Sequence, residues 1–343
     1  MHYFITGHTG FKGSWLVQLL KSQGHAVSGL SLDPIPGSIF ETADLGRMLK
    51  LDFRVDIRDA AATREALATT RPDVVIHLAA QPLVRQSYLD PEETFTTNVM
   101  GTMNVLEAVR DCPSVQAHLV ITTDKVYRNV NQKAGYKEDD PLGGSDPYSA
   151  SKAMADLLTQ SWIASFPSSP TAIARAGNVI GGGDVSQDRL LPDLVRSFSA
   201  KQTAKLRYPN AVRPWQHVLD CLHGYTLLVD SLLQGEGQGA WNFGPPDTNV
   251  NSVSVVADTA VSYWGNGASW EVDRGSQPHE AALLTLNSAK ARAALNWTDA
   301  LDFDTAVQWT LDWERRYLNG DSPLDLCAEQ ISVFESLTST PIR

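Results

Sequence analysis

Two short stretches carry side chains that could together move a proton on and off a hydroxyl: Thr122-Thr123-Asp124-Lys125 and Tyr148-Ser149-Ala150-Ser151-Lys152. Tyr148 and Lys152 are four residues apart, so on a helix they share one face. A free tyrosine titrates near 10; ionisation at neutral pH requires a fall of roughly three pH units, about 4 kcal/mol. A neighbouring ammonium supplies part of such a fall. Tyr148 could then act as general base toward a hydroxyl held by Thr123. An isolated Tyr-x-x-x-Lys is a common helix-surface pattern, so its meaning depends on what surrounds it. Asp124 stands beside this pair and is a candidate general acid, provided that burial keeps it protonated near neutral pH.

The surroundings begin at the N-terminus. Thr6-Gly7-His8-Thr9-Gly10-Phe11-Lys12-Gly13 follows the apolar run His2–Ile5 and precedes helical apolar spacing over Ser14–Leu20. Strand, tight glycine turn and helix in that order form a dinucleotide cradle. The glycines allow a sharp turn, close approach of a diphosphate and tight helix–strand packing, and the helix N-terminus holds the phosphates. Gly7, Thr9, Gly10, Phe11, Lys12 and Gly13 are the expected cradle. Asp33, at the end of the second strand, can accept hydrogen bonds from both adenosine ribose hydroxyls and would repel a 2′-phosphate, which favours NAD over NADP. It could equally start a turn before Pro34. Asp56 and Ile57 could border the adenine. Leu78, Ala79 and Ala80 end a buried strand in small residues that leave room for a ligand. Asn98, a poor helix former, hints at a buried amide with a specific partner near the cofactor. Thr122, Tyr148 and Lys152 complete the cofactor set, and an oxidised nicotinamide would add positive charge beside the phenol.

The 343 residues carry a net charge of −11, with 43% hydrophobic and 20% charged residues. That is the composition of an ordinary globular protein and argues against a nucleic-acid surface. No apolar run is long enough to span a bilayer and no signal pattern opens the chain; with three scattered cysteines, Cys112, Cys221 and Cys327, the expectation is a cytoplasmic protein with reduced thiols. The histidines show no metal-ligand spacing, and no metal is expected.

Apolar runs at Tyr3–Thr6, Ala26–Leu32, Val74–Leu78, His118–Thr122 and Ala172–Arg175 alternate with helical patterns at Ala60–Ala68, Thr94–Arg110 and Ser149–Phe166. The pattern predicts an α/β fold, a Rossmann-like doubly wound parallel sheet, followed by a smaller mixed α/β lobe. Residues 1–176 are expected to form the dinucleotide-binding domain, with 211–243 returning to it. Residues 177–210 and 244–320 form the second lobe, and 321–343 a C-terminal tail with helical spacing at Leu326, Ile331, Val333, Phe334 and Leu337 that is expected to pack as an appendage. Helices are expected near Cys221–Leu233, Val253–Trp264, Leu286–Leu295 and Phe303–Leu318.

Taken together, T-G-H-T-G-F-K-G (6–13), H-L-A-A-Q-P-L-V-R (77–85), N-V-M-G-T (98–102), T-T-D-K-V-Y (122–127), D-P-Y-S-A-S-K (146–152), R-A-G-N-V-I-G-G-G-D (175–184), R-P-W-Q-H-V (213–218) and W-N-F-G-P (241–245) resemble the extended short-chain dehydrogenase/reductases. Within them the chain is most similar to the nucleotide-sugar 4,6-dehydratases and to their CDP-glucose branch. The resemblance runs from about Phe4 to Leu318. It implies a lyase that uses NAD. Tyr148 removes the C4 hydroxyl proton as hydride passes to NAD, the ketone acidifies C5–H, water leaves from C6 with Asp124 as acid, and hydride returns to C6. Other branches of the dehydratases carry Asp-Glu where this chain has Asp124-Lys125. Lys125 is then either the C5 base, which requires a neutral amine, or a cation stabilising the enolate.

For the substrate, CDP-glucose on this resemblance, Gln81 and Arg85 lie near the sugar, and Asn178 and Arg189 on the following loop. Arg213 is the candidate clamp for a diphosphate, because a guanidinium donates two parallel hydrogen bonds. Gly181, Gly182 and Gly183 would let the backbone approach the ligand. The resemblance also implies a homodimer or homotetramer built through a four-helix contact of Thr94–Arg110 and Ser149–Phe166.

Overall fold

The computed structural model describes residues 1–166, 170–246, 251–275 and 281–339. The strands are β1 (His2–Thr6), β2 (Ala26–Ser31), β3 (Asp52–Arg54), β4 (Val74–His77), β5 (Ala117–Ile121), β6 (Thr171–Ala176), β7 (Asn178–Ile180), β8 (Ala204–Leu206), β9 (Val212–Arg213), β10 (Trp215–His217), β11 (Gly239–Phe243), β12 (Asn251–Ser252) and β13 (Trp270–Val272). Seven of them form one sheet in the order β11-β6-β5-β4-β1-β2-β3, with every neighbouring pair parallel. Phe4, Ile5, Val74, Val75 and Ile76 are fully buried, because helices cover both faces; this is why these strands read as continuous apolar runs. The strand order reverses between β1 and β4, and a crevice opens there at the strand C-termini. The glycine turn, Leu78–Gln81 and Thr122–Lys125 all follow strands at that end.

The segment from β9 to β11 crosses between the two halves. Helix Val218–Leu233 packs under the sheet, with Val218, Leu219, Leu222, Tyr225 and Leu228 in the main core, and β11 extends the sheet beyond β6. The second lobe has its own core, including Leu194, Phe198, Val256, Trp264 and Val307. Three short strand pairs, β7 with β10, β8 with β13 and β9 with β12, tie it together.

Two elements differ from expectation. The helix read over Thr94–Arg110 is α-helical only over Pro91–Phe95 and Thr102–Arg110; between them Thr96–Gly101 is a π-helical turn. Asn98 lies inside that turn with its amide buried, and a Cβ on Gly101 would stand 2.5 Å from Ile57 Cδ1. The wide turn admits both contacts. The tail is a 16-residue helix, Pro323–Thr338, capped by Ser322. Its Leu326, Cys327, Ile331 and Phe334 are buried in the main core against helix Phe11–Ser22. It is part of the fold rather than an appendage; residues 340–343 lie outside the described residues.

Candidate active site

Helix Pro147–Ser165 starts at a strong cap. The Asp146 carboxylate accepts from Ser149 N at 2.9 Å and from the Ser149 hydroxyl, and Pro147 occupies the first turn. Tyr148 stands on that first turn, half-buried, with its backbone N–H donating to Ser87 Oγ at 3.1 Å. One turn on, Lys152 is buried and its Nζ donates to the Ile121 carbonyl at 2.7 Å, at the end of β5. The chain leaves β5 through Thr122 and Thr123 into a short 3-10 turn, Asp124–Val126. That exit brings Thr123, Asp124, Lys125 and Tyr148 onto the wall of one cavity of about 260 Å³, together with Gly177 and Asn178.

Asp124 is 1% exposed. Its Oδ1 accepts from the Thr123 hydroxyl at 2.9 Å, while Oδ2 is buried with no hydrogen-bond partner among the described residues. Burial pushes its pKa up against the opposing pull of Lys125, Thr123, Arg213 and Lys12. A carboxyl of this kind is a proton donor in waiting. Lys152 is lowered to about 8 by burial, then by the Lys12 charge, with Asp156 opposing. Tyr148 is raised to about 12, by burial against the Thr123 hydrogen bond and the charge of Arg189. The protein alone therefore does not bring the phenol toward neutral; the fall read from the Tyr-x-x-x-Lys pattern needs further positive charge in the site.

The glycine turn has the shape of a phosphate cradle. Gly7 has φ +77°, and a Cβ there would lie 2.7 Å from Ala79 N; on Gly13 it would lie 2.3 Å from Gly7 O. Gly10, by contrast, is exposed, precedes helix Phe11–Ser22, and has only Gly7 O as a neighbour, at 3.4 Å. Gly7 and Gly13 make the turn possible and Gly10 leaves its outer face open to a diphosphate, so the residues present fit a dinucleotide. Phe11 and Lys12 are partly buried at the same helix start, Lys12 Nζ reaching Tyr225 OH at 3.4 Å. Asp33 is exposed two residues beyond β2, and Leu78, Ala79 and Ala80 are partly exposed beyond β4.

Several expected ligand contacts are engaged elsewhere. Thr9 Oγ1 is buried against Ser31 Oγ at 2.7 Å and Leu32 O at 3.1 Å, fastening the turn to the end of β2. The Asp56 carboxylate is held by Arg58, at 2.8 Å from Nε and 2.6 Å from Nη2. Ile57 is 4% exposed and packs in the core under helix Thr102–Arg110. Thr122 Oγ1 donates to Asp156 Oδ2 at 3.0 Å. Gln81 and Asn98 engage each other's loop: Asn98 Oδ1 accepts from Gln81 N at 2.8 Å, its Nδ2 reaches Gln81 O and Ser151 Oγ, and Gln81 Nε2 donates to Thr94 Oγ1 at 2.7 Å. These side chains position backbone at the site; the Gln81 amide donates to Thr94 Oγ1 and accepts from Leu83 N. The glycines 181–183 serve packing as well. A Cβ on Gly182 would stand 2.2 Å from Trp313 Cγ, and on Gly181 2.7 Å from Val218 Cγ1. Arg175, in sequence close to Asn178, is buried on Asp156 instead.

The cavity wall carries charges of both signs. Arg85, Arg189 and Arg213 line it, with Lys205 and Arg207, which the sequence did not single out, and so do Asp184, Asp188 and Asp193. Arg213 is 2% exposed and donates to Val212 O at 2.8 Å and Ala281 O at 2.6 Å. Lys205 and Arg207 lie on and just after the three-residue β8, which no periodicity marked. Among the described residues no cluster of three His, Cys, Asp or Glu side chains is placed to hold a metal.

The chain belongs to the NAD dependent epimerase/dehydratase family, whose model matches residues 3–244. It is 41% identical to the CDP-glucose 4,6-dehydratase of Salmonella typhimurium over 98% of this chain and 96% of that one. It is 28% identical to a probable dTDP-glucose 4,6-dehydratase of Sinorhizobium fredii over 91% of this chain and 92% of that one. In fold it matches DesIV, a dTDP-glucose 4,6-dehydratase of Streptomyces venezuelae solved with NAD and TYD bound, with a TM-score of 0.81 at 24% identity, covering 94% of this chain and 100% of that one. The protein is thus an enzyme of a family that uses NAD.

Proposed function

We propose that the protein converts CDP-glucose to CDP-4-keto-6-deoxyglucose by NAD-dependent 4,6-dehydration. The likeness to the Salmonella dehydratase, over almost the whole of both chains, supports the substrate. The observation that carries the reaction class is Asp124: a buried carboxyl, biased toward its protonated form, with one oxygen unpartnered, on the same cavity wall as Tyr148. A plain reductase has no use for such an acid.

Gly7, Gly10, Phe11, Lys12, Gly13 and Asp33 would hold the dinucleotide, with Tyr148 and Lys152 at its reactive end. When bound, NAD supplies the oxidised nicotinamide that takes two electrons and a hydrogen from C4 and later returns them to C6. Thr123 holds the C4 hydroxyl and Tyr148 takes its proton, with Lys152 fixing the charge balance of the helix start. Asp124 donates a proton to the departing C6 hydroxyl. Lys125, half-buried on the same wall, takes the C5 proton as base, or steadies the enolate as a cation while another group takes that proton; a solvent-derived proton is delivered to C5 as hydride returns to C6. The five cations Arg85, Arg189, Lys205, Arg207 and Arg213 face the nucleoside diphosphate.

The test is incubation with CDP-glucose in heavy water. Mass spectrometry should find solvent label at C5 and the original C4 hydrogen at C6, and the 4-keto product should absorb near-UV light in alkali. Turnover of UDP-, dTDP- or GDP-sugars alone would overturn the substrate assignment.

We further place the enzyme as a homodimer or a dimer of dimers in the cytoplasm. Met100, Met154 and Leu157 are exposed on adjacent helices, with Phe166 just beyond the second; Leu157 is 53% exposed. Such a face suits a second copy. Cys112, Cys221 and Cys327 are free and buried, which suits a reducing compartment. Light scattering that shows a monomer would remove the first part.

A further inference from the structure

The cavity mouth holds an ionic triad that joins the two halves of the molecule. Asp188 lies in the loop between β7 and helix Leu190–Ser199, with a left-handed φ of +61°. Its Oδ1 accepts from Arg85 Nη1 at 2.9 Å and from Arg207 Nη1 at 2.9 Å. Its backbone carbonyl accepts from Arg207 Nη2 at 3.0 Å. Arg85 comes from the helix that follows β4, in the dinucleotide half; Arg207 follows β8, in the second lobe. All three residues line the cavity that contains Tyr148 and Asp124. The side chains of Arg85, Asp188 and Arg207 are 47%, 36% and 26% exposed, so water screens the triad and it is easily exchanged.

We propose that Asp188 is a placeholder for the substrate diphosphate. In the free enzyme its single carboxylate holds Arg85 and Arg207 together across the cleft. On binding, the diphosphate, with more acceptor oxygens and more negative charge, takes over both guanidiniums and Asp188 turns out to solvent. Three features support this. One carboxylate oxygen serves two guanidiniums, an arrangement that a diphosphate satisfies better with separate oxygens. The two arginines belong to different halves, so their shared anion sets the width of the cleft. Asp188 is a negative charge seated directly between two of the wall's guanidiniums, where it opposes an anionic ligand unless it moves. Arg207 is therefore a substrate-binding residue held ready by Asp188. This rests on the reading of the cavity as a nucleoside-diphosphate site.

The experiment is calorimetric binding of CDP and of cytidine to the full-length enzyme with NAD present, at two salt concentrations. Asp188→Asn should bind CDP at least threefold more tightly than the parent at low salt, with the gain shrinking at high salt, and should leave cytidine binding unchanged. Arg207→Gln should weaken CDP at least tenfold and cytidine by less than twofold. Both variants alter partly exposed side chains, and unchanged thermal unfolding would confirm that they fold. Unchanged or weaker CDP binding by Asp188→Asn, or equal losses for CDP and cytidine in Arg207→Gln, would overturn the placeholder while leaving the substrate reading intact. A parent enzyme that binds no CDP would bring both down together.

Discussion

Two polar centres meet helix Pro147–Ser165 at the exit of β5, and they differ in one respect. The first is Arg175 with Asp156. Both are fully buried and joined by two 2.8 Å hydrogen bonds, Nε to Oδ2 and Nη2 to Oδ1. Thr122 adds a third donor to the carboxylate, Arg175 Nη1 reaches Tyr127 OH and Glu138 O, and Tyr127 OH donates to Asn242 Oδ1 at 2.7 Å. The second is Asp124 with Thr123 and Tyr148, where one carboxylate oxygen has no partner among the described residues. A complete network holds the sheet to helix Pro147–Ser165, whereas an incomplete one faces a cavity and holds its carboxyl above the usual carboxylate range. Of these two centres, the one with the unpartnered oxygen lines the cavity and the fully bonded one braces the fold.

Removing one partner of the satisfied pair should produce the largest effect on the fold. Asp156→Ala leaves the Arg175 guanidinium buried without its counter-ion, and we expect a loss of about 3–5 kcal/mol of stability in denaturant unfolding. A loss under 1 kcal/mol would mean that water reaches the pair and that the two centres are alike. In the unsatisfied centre the loss should fall on rate. Tyr148→Phe should lower turnover on the order of 10³-fold while NAD binding, followed by fluorescence, stays within twofold. Equal loss of both would make Tyr148 a structural residue.

Asp124→Asn should separate the steps. Elimination should slow on the order of 10²-fold, while a single-turnover scan with CDP-glucose still shows reduced nicotinamide accumulating near 340 nm, about where that chromophore absorbs. If the reduced cofactor also fails to form, Asp124 serves the first oxidation instead. The smallest expected effect concerns pH. The folded-state pKa of Asp124 lies above its unfolded value, so its contribution to stability is complete below the ordinary carboxylate range and is lost as pH rises through the folded pKa. Asp124→Asn has no such loss. Its stability relative to the parent should therefore improve as pH rises from the ordinary carboxylate range through the folded pKa. A variant whose stability relative to the parent falls as pH rises would show that the carboxylate is stabilised as an anion.

The same contrast explains what could be read in advance. The strands β1, β2, β4, β5 and β6 follow from continuous apolar runs, and helix Phe303–Leu318 was read with its observed ends. Thr123, Asp124, Lys125 and Tyr148 meet in one cavity because their motifs end a strand and start a helix. What escaped was the direction of side chains that have polar alternatives. Gln81, Asn98, Thr9 and Thr122 are types that bind ligands, yet each has a protein partner set by the packing of its element against a distant one, which no local spacing encodes, while Asp56 is held locally by Arg58. The π-helical turn escaped because it depends on Ile57 meeting Gly101, forty-four positions apart in the chain. Arg207 and Asp188 escaped because the turn at Asp188 and the strand before Arg207 are too short to carry a period.

Helix Pro323–Thr338 braces the helix that carries the glycine turn, and the Ser22 hydroxyl donates to Glu335 Oε1 at 3.1 Å across 313 positions of sequence. On the ribosome, the phosphate grip is thus made long before its buttress. A nascent chain must carry that grip half-supported, and a truncation that spares every catalytic group would still loosen the hold on the dinucleotide.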